Sequence, residues 1–243
     1  MRYLVFQLYA PMASWGEAAT GEIRRSARHP SRSAILGLLG AALGIRRDED
    51  DALAELRDGV AVAIKQLSPG VAVQDYHTAQ VPGQDRKARR LTRRDELAVK
   101  DKLHTILSTR EYRCDGSWRV AIRATETSRW SLDDVAEALQ NPRFPLYFGR
   151  KSCPPAAPLA PRIVEAEGLR AALSHEFPQL TRLCPEEEHR RLGLGEEVAY
   201  AWEGESGDLP VQETRYPYDQ PLHRGRWQFA SRPEHWHQTR EES

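Results

Sequence analysis

Three stretches of the sequence gather cations with no acid between them, a composition suited to binding phosphate groups. The first contains four arginines with a serine and a histidine among them: Arg24, Arg25, Ser26, Arg28, His29 and Arg32. The second contains six cations within residues 86–94: Arg86, Lys87, Arg89, Arg90, Arg93 and Arg94. The third joins two aromatic residues to a glycine and two cations: Tyr147, Phe148, Gly149, Arg150 and Lys151. The whole chain balances 35 basic against 35 acidic residues, so the field at these stretches is local.

The first stretch leads directly into a helix start at residues 31–33. Ser31 or Ser33 can cap the first turn, and the exposed N–H groups and the helix dipole favour an anion there. In the third stretch, the aromatic faces can stack on unpaired bases while Arg150 and Lys151 hold phosphates. A single cluster of this kind is more often only a solvated surface. The three together predict RNA or DNA binding.

Candidates for catalysis are fewer. Metal-independent cleavage of RNA uses a histidine with a tyrosine or lysine near the scissile bond, and Tyr76, His77 and His104 are the residues of these types. Because side chains alternate along a strand, Tyr76 and His77 are expected on opposite faces, one towards the core and the other able to contact RNA. We therefore predict that the chain is not an enzyme. His235 and His237 could suggest a metal site, but no third ligand is clustered with them, which argues against one. No cofactor is expected.

Length and composition indicate a globular protein. The 243 residues are 40% hydrophobic, enough to bury a core in one large domain or two small ones. No run approaches the roughly 18 apolar residues of a membrane span, and the first residues are too mixed for a signal peptide. Cys114, Cys153 and Cys184 fit neither a disulfide framework nor a metal knuckle. A cytoplasmic protein without membrane contacts is expected.

The hydrophobic pattern mixes strands and helices. Helices are predicted to begin near Ser31, Asp50 and Ser131. Strands are predicted at residues 2–9, 144–149 and 159–166. The runs 59–81 and 103–124 each read as a β-hairpin, with turns at residues 68–70 and 115–116. Residues 186–208 form an acidic stretch to which no role is assigned.

This order of elements predicts an α+β fold with a ferredoxin-like or RRM-like sheet and helices on one face. Such a sheet often binds single-stranded RNA, although the fold alone does not establish function. The second basic stretch lies between the two predicted hairpins as an excursion from the sheet. We expect a body formed by residues 1–78 and 103–243, with a C-terminal extension, and a basic thumb at residues 79–102.

Several segments together resemble one known family. These are MASWG, RRSARHPSRSAILGLLGAALGI, DYHTAQVP, ILSTREYRCDGSWRVAI and NPRFPLYFGRKSCPPAAPL. They are similar to the CasD-type subunits of the type I-E CRISPR Cascade complex, in the repeat-associated (RAMP) superfamily. The resemblance extends from Met1 to about Pro161 and is much weaker from Ile163 onward.

The resemblance implies a modified RRM-like fold with an extended thumb that packs on an adjacent backbone subunit. It implies binding of the 5′ handle of CRISPR RNA. It also implies that the large subunit is a partner of the chain and that the chain contacts target DNA as part of the complex. It implies that Trp15 and residues 24–33 form a handle-binding loop and helix start, and that residues 147–151 form a loop near the same RNA. It also implies that the chain is non-catalytic, although a related branch of the superfamily cleaves RNA.

Two alternatives stay open at this point. The first is a metal-independent endoribonuclease that processes CRISPR repeat RNA. The second is a protein scaffold whose basic clusters contact acidic surfaces of partner subunits.

Overall fold

The computed structural model describes residues 1–16, 19, 21–84, 89–223 and 225–241, apart from the side chain of Lys102. The strands are β1 (Arg2–Ala13), β2 (Ile23–Arg24), β3 (Val60–Ser68), β4 (Val71–Pro82), β5 (Leu103–Ala124), β6 (Arg162–Glu165), β7 (Glu197–Trp202), β8 (Glu213–Arg215), β9 (Gln220–His223), β10 (Gln228–Ala230) and β11 (Glu234–Arg240). The α-helices are α1 (Arg32–Leu43), α2 (Asp50–Gly59), α3 (Arg93–Leu97), α4 (Leu132–Gln140), α5 (Leu169–Leu173) and α6 (Pro185–Leu192).

Nine of these strands form one large sheet. Its main path runs β6-β1-β5-β3-β7-β11-β8, and the neighbours along this path are antiparallel. β2 and β4 also pair with β5, β2 in parallel and β4 antiparallel, while β9 and β10 pair separately. The expected mixture of helices with a large antiparallel sheet is confirmed. Within the described ranges, no helix has the length and apolar character needed to cross a membrane.

The central strands are apolar on both faces, and this decides where the helices lie. Leu4, Phe6 and Leu8 of β1 join the larger core, which α1 and α4 cover. Tyr3 and Val5 point to the opposite face and join a second core with α5. A strand that is apolar on both faces needs cover on both. The expectation that helices cover only one face is therefore wrong, and the face on which an RRM-like sheet would bind RNA is partly closed.

The two hairpins predicted at residues 59–81 and 103–124 are also wrong. β3 and β4 do not pair with each other but follow one another along β5, which continues unbroken for 22 residues. The turn signals instead mark an irregularity in this pairing. Asp115 has a φ of 56°, and a Cβ on Gly70 would lie 2.4 Å from the Cys114 carbonyl oxygen. Residues that tolerate positive φ suit a bulge as well as a turn, and only long-range strand pairing distinguishes the two.

The predicted helix starts are confirmed, as is a strand within residues 159–166, which appears as β6. Ser31 caps α1 by accepting the Ala34 N–H at 3.2 Å, and Ser131 caps α4 in a capping box with Asp134. The strand predicted at residues 144–149 is wrong. This segment is irregular and ends at Gly149 with a φ of 82°.

β4 and the first half of β5 project from the body as a two-stranded arm, which we call the thumb hairpin (residues 71–114). The 12 residues of β4 span about 40 Å at a rise of about 3.3 Å per residue, and they are exposed along most of this length. The projection therefore starts at Val71, before the boundary expected at residue 79. The division into a body (residues 1–78 and 103–243) and a thumb (residues 79–102) stays a prediction.

Candidate nucleic-acid interface

The loop that carries the first basic cluster (residues 21–33) is anchored at the base of the thumb hairpin. The backbone N–H of Trp15 donates to Ser26 Oγ at 3.0 Å, and the backbone N–H of Ala27 donates to the Trp15 carbonyl at 2.8 Å. From β5, the Arg113 guanidinium donates to the carbonyls of Ser26 and Ala27, each at 3.2 Å. This anchoring leaves three cationic side chains of the loop exposed: Arg24, Arg25 and Arg28.

The third cluster lies beside the same loop because Trp15 packs between them. The Trp15 and Phe148 rings are 5.6 Å apart, and the Ser14 N–H donates to the Phe148 carbonyl at 3.0 Å. The Phe148 N–H in turn donates to the Cys153 carbonyl at 2.8 Å, which closes the loop. Two clusters that are distant in the sequence thus become neighbours. Tyr147 and Lys151 are exposed on this loop.

Gly149 is required where this loop approaches β1. Its φ is 82°, and a Cβ there would lie 1.7 Å from the Ser14 carbonyl oxygen. We expect Gly149→Ala to destabilise the protein by at least about 2 kcal/mol, since it combines left-handed strain with a backbone clash. That loss should lower the Tm by at least about 4 °C in a thermal melt. Gly16→Ala is the matched control, because a Cβ at Gly16 meets nothing within 4 Å. Equal melting temperatures for the two variants would contradict the expectation.

The base of the thumb hairpin concentrates positive charge. The Arg150 guanidinium lies 4.8 Å from the centre of the Tyr112 ring on β5. Burial, followed by the nearby positive charge of Arg28, lowers the pKa of Arg113. Arg24 of β2 is the register partner of Arg110 on β5. Cations held this close favour an anion between them, so this surface is suited to phosphates.

Three predicted site residues are too buried to contact RNA directly through their side chains. Trp15 is 2% exposed, Ser26 4% and Arg32 5%. The Arg32 guanidinium donates to Glu203 at 2.7 Å and to the carbonyls of Arg57 and Val60. The expectation of direct contact is corrected for these three residues, which instead support the loop and the start of α1.

The phosphate site predicted at the start of α1 is already occupied. The Asp219 carboxylate accepts the Arg32 N–H at 2.6 Å, and Ser31 Oγ accepts the Ala34 N–H. Ser33 Oγ lies 3.1 Å from Ser31 Oγ. An internal carboxylate therefore takes the place that the dipole argument assigned to a ligand. Any phosphate held by the first cluster must lie over the exposed arginines of the loop.

In the thumb hairpin, the described members of the second basic cluster lie in or shortly before the short helix α3. Arg86 and Lys87 lie outside the described residues. Arg89 and Arg94 are exposed, Arg93 pairs with Glu96 at 2.6 Å, and Arg90 donates to the Gly83 carbonyl at 3.4 Å. Leu91 is 90% exposed and Val99 is 54% exposed. Apolar side chains exposed on a projecting arm favour contact with a neighbouring surface.

The catalytic candidates do not form a site. Tyr76 is 66% exposed and His77 is about half exposed, so the expectation that one of them faces the core is wrong. Both lie on the thumb hairpin, beyond the body. His104 is the register partner of Val81, four residues along β4 from His77, a separation of about 13 Å. The described part of the chain contains no group of three or more His, Cys, Asp or Glu side chains placed to hold a metal.

Comparison with known proteins decides the family. The family described as CRISPR-associated protein (Cas_Cas5) matches residues 3–233. The chain belongs to the Cas5 family. The Cascade subunit CasD of Escherichia coli (strain K12) is 32% identical over 184 residues, which cover 72% of this chain and 77% of the relative. The resemblance to CasD-type subunits is thereby confirmed.

Solved structures agree on the fold of this Cas5-family chain. A chain of a CRISPR RNA-guided surveillance complex matches with a TM-score of 0.64 and 22% identity, over 98% of this chain and 90% of that one. A Cas protein crystal structure matches with a TM-score of 0.57 and 24% identity, over 98% and 94% of the two chains. At these identities the likeness supports a shared architecture.

Sequence reasoning missed the contribution of β5 to the interface of this Cas5-family chain. Arg110 and Arg113 flank Glu111 and Tyr112, and this mixture of charged and aromatic residues resembles an ordinary half-exposed strand. The sequence signal that could have indicated this contribution was the position of residues 110–113 close to the turn predicted at residues 115–116. Because that turn is a bulge in a continuous strand, these side chains lie at the base of the thumb hairpin instead of at a hairpin tip.

Proposed function

We propose that this chain is a non-catalytic subunit of a type I-E Cascade complex that binds the 5′ handle of CRISPR RNA and caps the RNA–protein filament. The observation that carries the proposal is the convergence of two basic loops and β5 around the base of the thumb hairpin. The exposed cations there are Arg24, Arg25, Arg28 and Lys151. Tyr147, 43% exposed, offers a ring on which an unpaired base can stack.

The topology supports an RRM-like interpretation of the body. Taken in chain order, β1, α1, β3, β5, α4 and β6 form a β-α-β-β-α-β unit, and its strands lie in the order β6-β1-β5-β3. This is the arrangement of a ferredoxin-like unit. The thumb hairpin then extends the pair formed by β3 and β5, and RNA lies at the edge of the sheet because α5 occupies part of its second face.

The thumb hairpin gives the proposed subunit its reach. Its exposed apolar residues, among them Leu91 and Val99, dock on an adjacent backbone subunit, while its cations face RNA held between the two proteins. Contact with the large subunit and with target DNA follows from the position of the handle at one end of the complex.

The test is to co-express the chain with the other Cascade subunits and a CRISPR array, then cross-link the purified complex by ultraviolet light. Cross-links from peptides containing residues 21–33 or 147–151 to the 5′ handle are expected. If these peptides instead cross-link only to protein, and the handle is equally protected from nuclease when this chain is omitted, the scaffold alternative is correct.

The thumb cations should govern salt sensitivity. Replacing Arg86, Lys87, Arg89, Arg90, Arg93 and Arg94 by alanine removes charge without removing an apolar docking residue. If about three of these cations contact phosphates, the log–log salt slope of RNA retention should flatten by about two units. Part of the effect should also appear as reduced assembly. A folded variant with unchanged slope, retention and assembly would show that the thumb charge is only a solvated surface.

If the chain were the endoribonuclease, Tyr76 and His77 would be needed to cleave precursor RNA, whereas a non-catalytic subunit does not need them. We expect the double variant Tyr76→Phe, His77→Ala to leave precursor RNA processing unchanged in the assembled system, because His77 lies 3.7 Å from the Asp75 carboxylate but about 13 Å along the strand from His104, the other candidate acid–base group. The measurement is gel analysis of repeat RNA incubated with the complex in EDTA. A large loss of product with assembly intact would favour the endoribonuclease.

A further inference from the structure

Glu111 of β5 places a carboxylate among the cations at the base of the thumb hairpin. Arg110 and Arg113 lie close to it along β5, and Arg24 of β2 is the register partner of Arg110. A negative charge at this position opposes the binding of phosphates, so on electrostatic grounds alone the surface would bind RNA more tightly without it. The contacts of Glu111 within the protein show what the carboxylate does instead.

The Glu111 carboxylate holds one neutral donor on each oxygen. Its Oε2 accepts the backbone N–H of Ser26 at 3.2 Å, and its Oε1 accepts the side-chain amide of Gln74 at 3.2 Å. A hydrogen bond from a backbone N–H to an ionised carboxylate is charge-assisted, and it is about twice as strong as one between neutral groups. The first bond ties β5 to the loop of the first basic cluster, and the second ties β5 to β4 of the thumb hairpin.

Ser26 is the point at which this loop is held. Besides the N–H that Glu111 accepts, its Oγ accepts the backbone N–H of Trp15 at 3.0 Å, and its carbonyl accepts from the Arg113 guanidinium at 3.2 Å. Ser26 is 4% exposed, so these bonds lie beneath the surface that faces solvent. The three exposed arginines of the loop all lie within two residues of Ser26, and the directions of their side chains therefore depend on how its backbone is held.

We propose that Glu111 is a positioning residue for RNA binding, because it fixes the Ser26 backbone and so presents the loop arginines to phosphates. The proposal rests on the RNA-binding function proposed above and assigns a role within it. Ordering the loop contributes more to binding than the negative charge costs. Among the bonds at Ser26, the one to Glu111 can be removed without removing a cation or an aromatic ring from the interface.

Loss of this negative charge is therefore expected to weaken the binding of an anion. Glu111→Ala removes both the charge and the acceptor for the Ser26 N–H, and it should lower the affinity of the assembled complex for CRISPR RNA about tenfold. Glu111→Gln removes the same charge, but its amide oxygen can still accept that N–H, so its affinity should equal or exceed that of the wild type. Filter retention of labelled CRISPR RNA at low salt measures both. A rise of equal size in the two variants would show a purely electrostatic role and would overturn the proposal.

Hydrogen exchange in the full chain without RNA tests the positioning itself. Exchange within residues 21–33 should rise in Glu111→Ala but not in Glu111→Gln, while exchange in β3 should stay as in the wild type. Glu126→Ala is the matched control, because Glu126 is an exposed acid beyond the other end of β5. This control should change neither the exchange of the loop nor the retention of RNA.

Three other outcomes would each overturn the proposal. Equal exchange of the loop in the two Glu111 variants would show that the bond to Ser26 does not hold the loop, whatever the result with RNA. A rise of exchange throughout the chain would assign Glu111 to overall stability alone. Normal RNA retention by Glu111→Ala despite a loosened loop would also contradict it. In that case, loss of RNA on replacing Arg25, Arg28 and Lys151 by alanine would leave the proposed function standing, whereas its retention would overturn that function too.

Discussion

Replacing Arg25, Arg28 and Lys151 together by alanine is expected to lower the affinity of the assembled complex for CRISPR RNA by about 100-fold at low salt. Each exposed charge-assisted phosphate contact contributes about 1 kcal/mol, and the three cations converge on one surface although they come from two distant loops. The salt slope should flatten by about two units if each cation contacts one phosphate. Filter retention of labelled CRISPR RNA across a salt series measures both effects.

A matched variant controls for the loss of charge itself. Arg46, Arg190 and Arg226 are three exposed cations away from the thumb base, and their replacement by alanine keeps the same net charge as the test variant. This control should retain RNA like the wild type. If both triple variants lose RNA equally, the effect is one of net charge, and the proposed interface is incorrect.

Replacing Arg232 by alanine is expected to destabilise the chain by about 3–5 kcal/mol. The Arg232 side chain is 9% exposed, and its guanidinium donates to Asp219 at 2.8 Å and to Glu234 at 2.6 Å. Glu203 lies 3.6 Å away and also pairs with Arg32. Removing the guanidinium leaves buried carboxylates without their cation, which costs several kcal/mol. The expected fall in Tm is about 6–20 °C in a thermal melt.

Arg240→Ala provides the comparison for this ion-pair network. Arg240 is also paired, with Glu197 at 3.3 Å, but the two side chains are 76% and 62% exposed. Water screens such a pair, and its loss should cost under about 1 kcal/mol. Similar melting temperatures for the two variants would show that the buried network does not stabilise the chain. Because Asp219 also caps α1, loss of Arg232 should additionally loosen the loop at residues 21–33, detectable by hydrogen exchange.

Sequence patterns predicted much of the candidate interface because its signals are local. An acid-free run of cations is visible in the sequence, and Arg24, Arg25, Arg28 and Lys151 are indeed exposed. The same pattern could not show that Arg28 is exposed whereas Arg32 is buried. Arg32 is buried because it pairs with Glu203, which is 171 residues away in the chain. The role of Trp15 is likewise set by Phe148, with which it shares no local pattern.

The sequence by itself determined the helix starts at Ser31 and Ser131, the first strand and the family of the chain, because caps, periodicity and motifs are short-range properties. Only the tertiary structure decided that β3 and β4 follow one another along β5 instead of forming two separate hairpins, and that Asp219 occupies the start of α1. Strand partners, burial and ion pairing depend on residues that are distant along the chain. A local pattern does not identify those partners, so residues that tolerate positive φ are equally compatible with a turn and with a bulge.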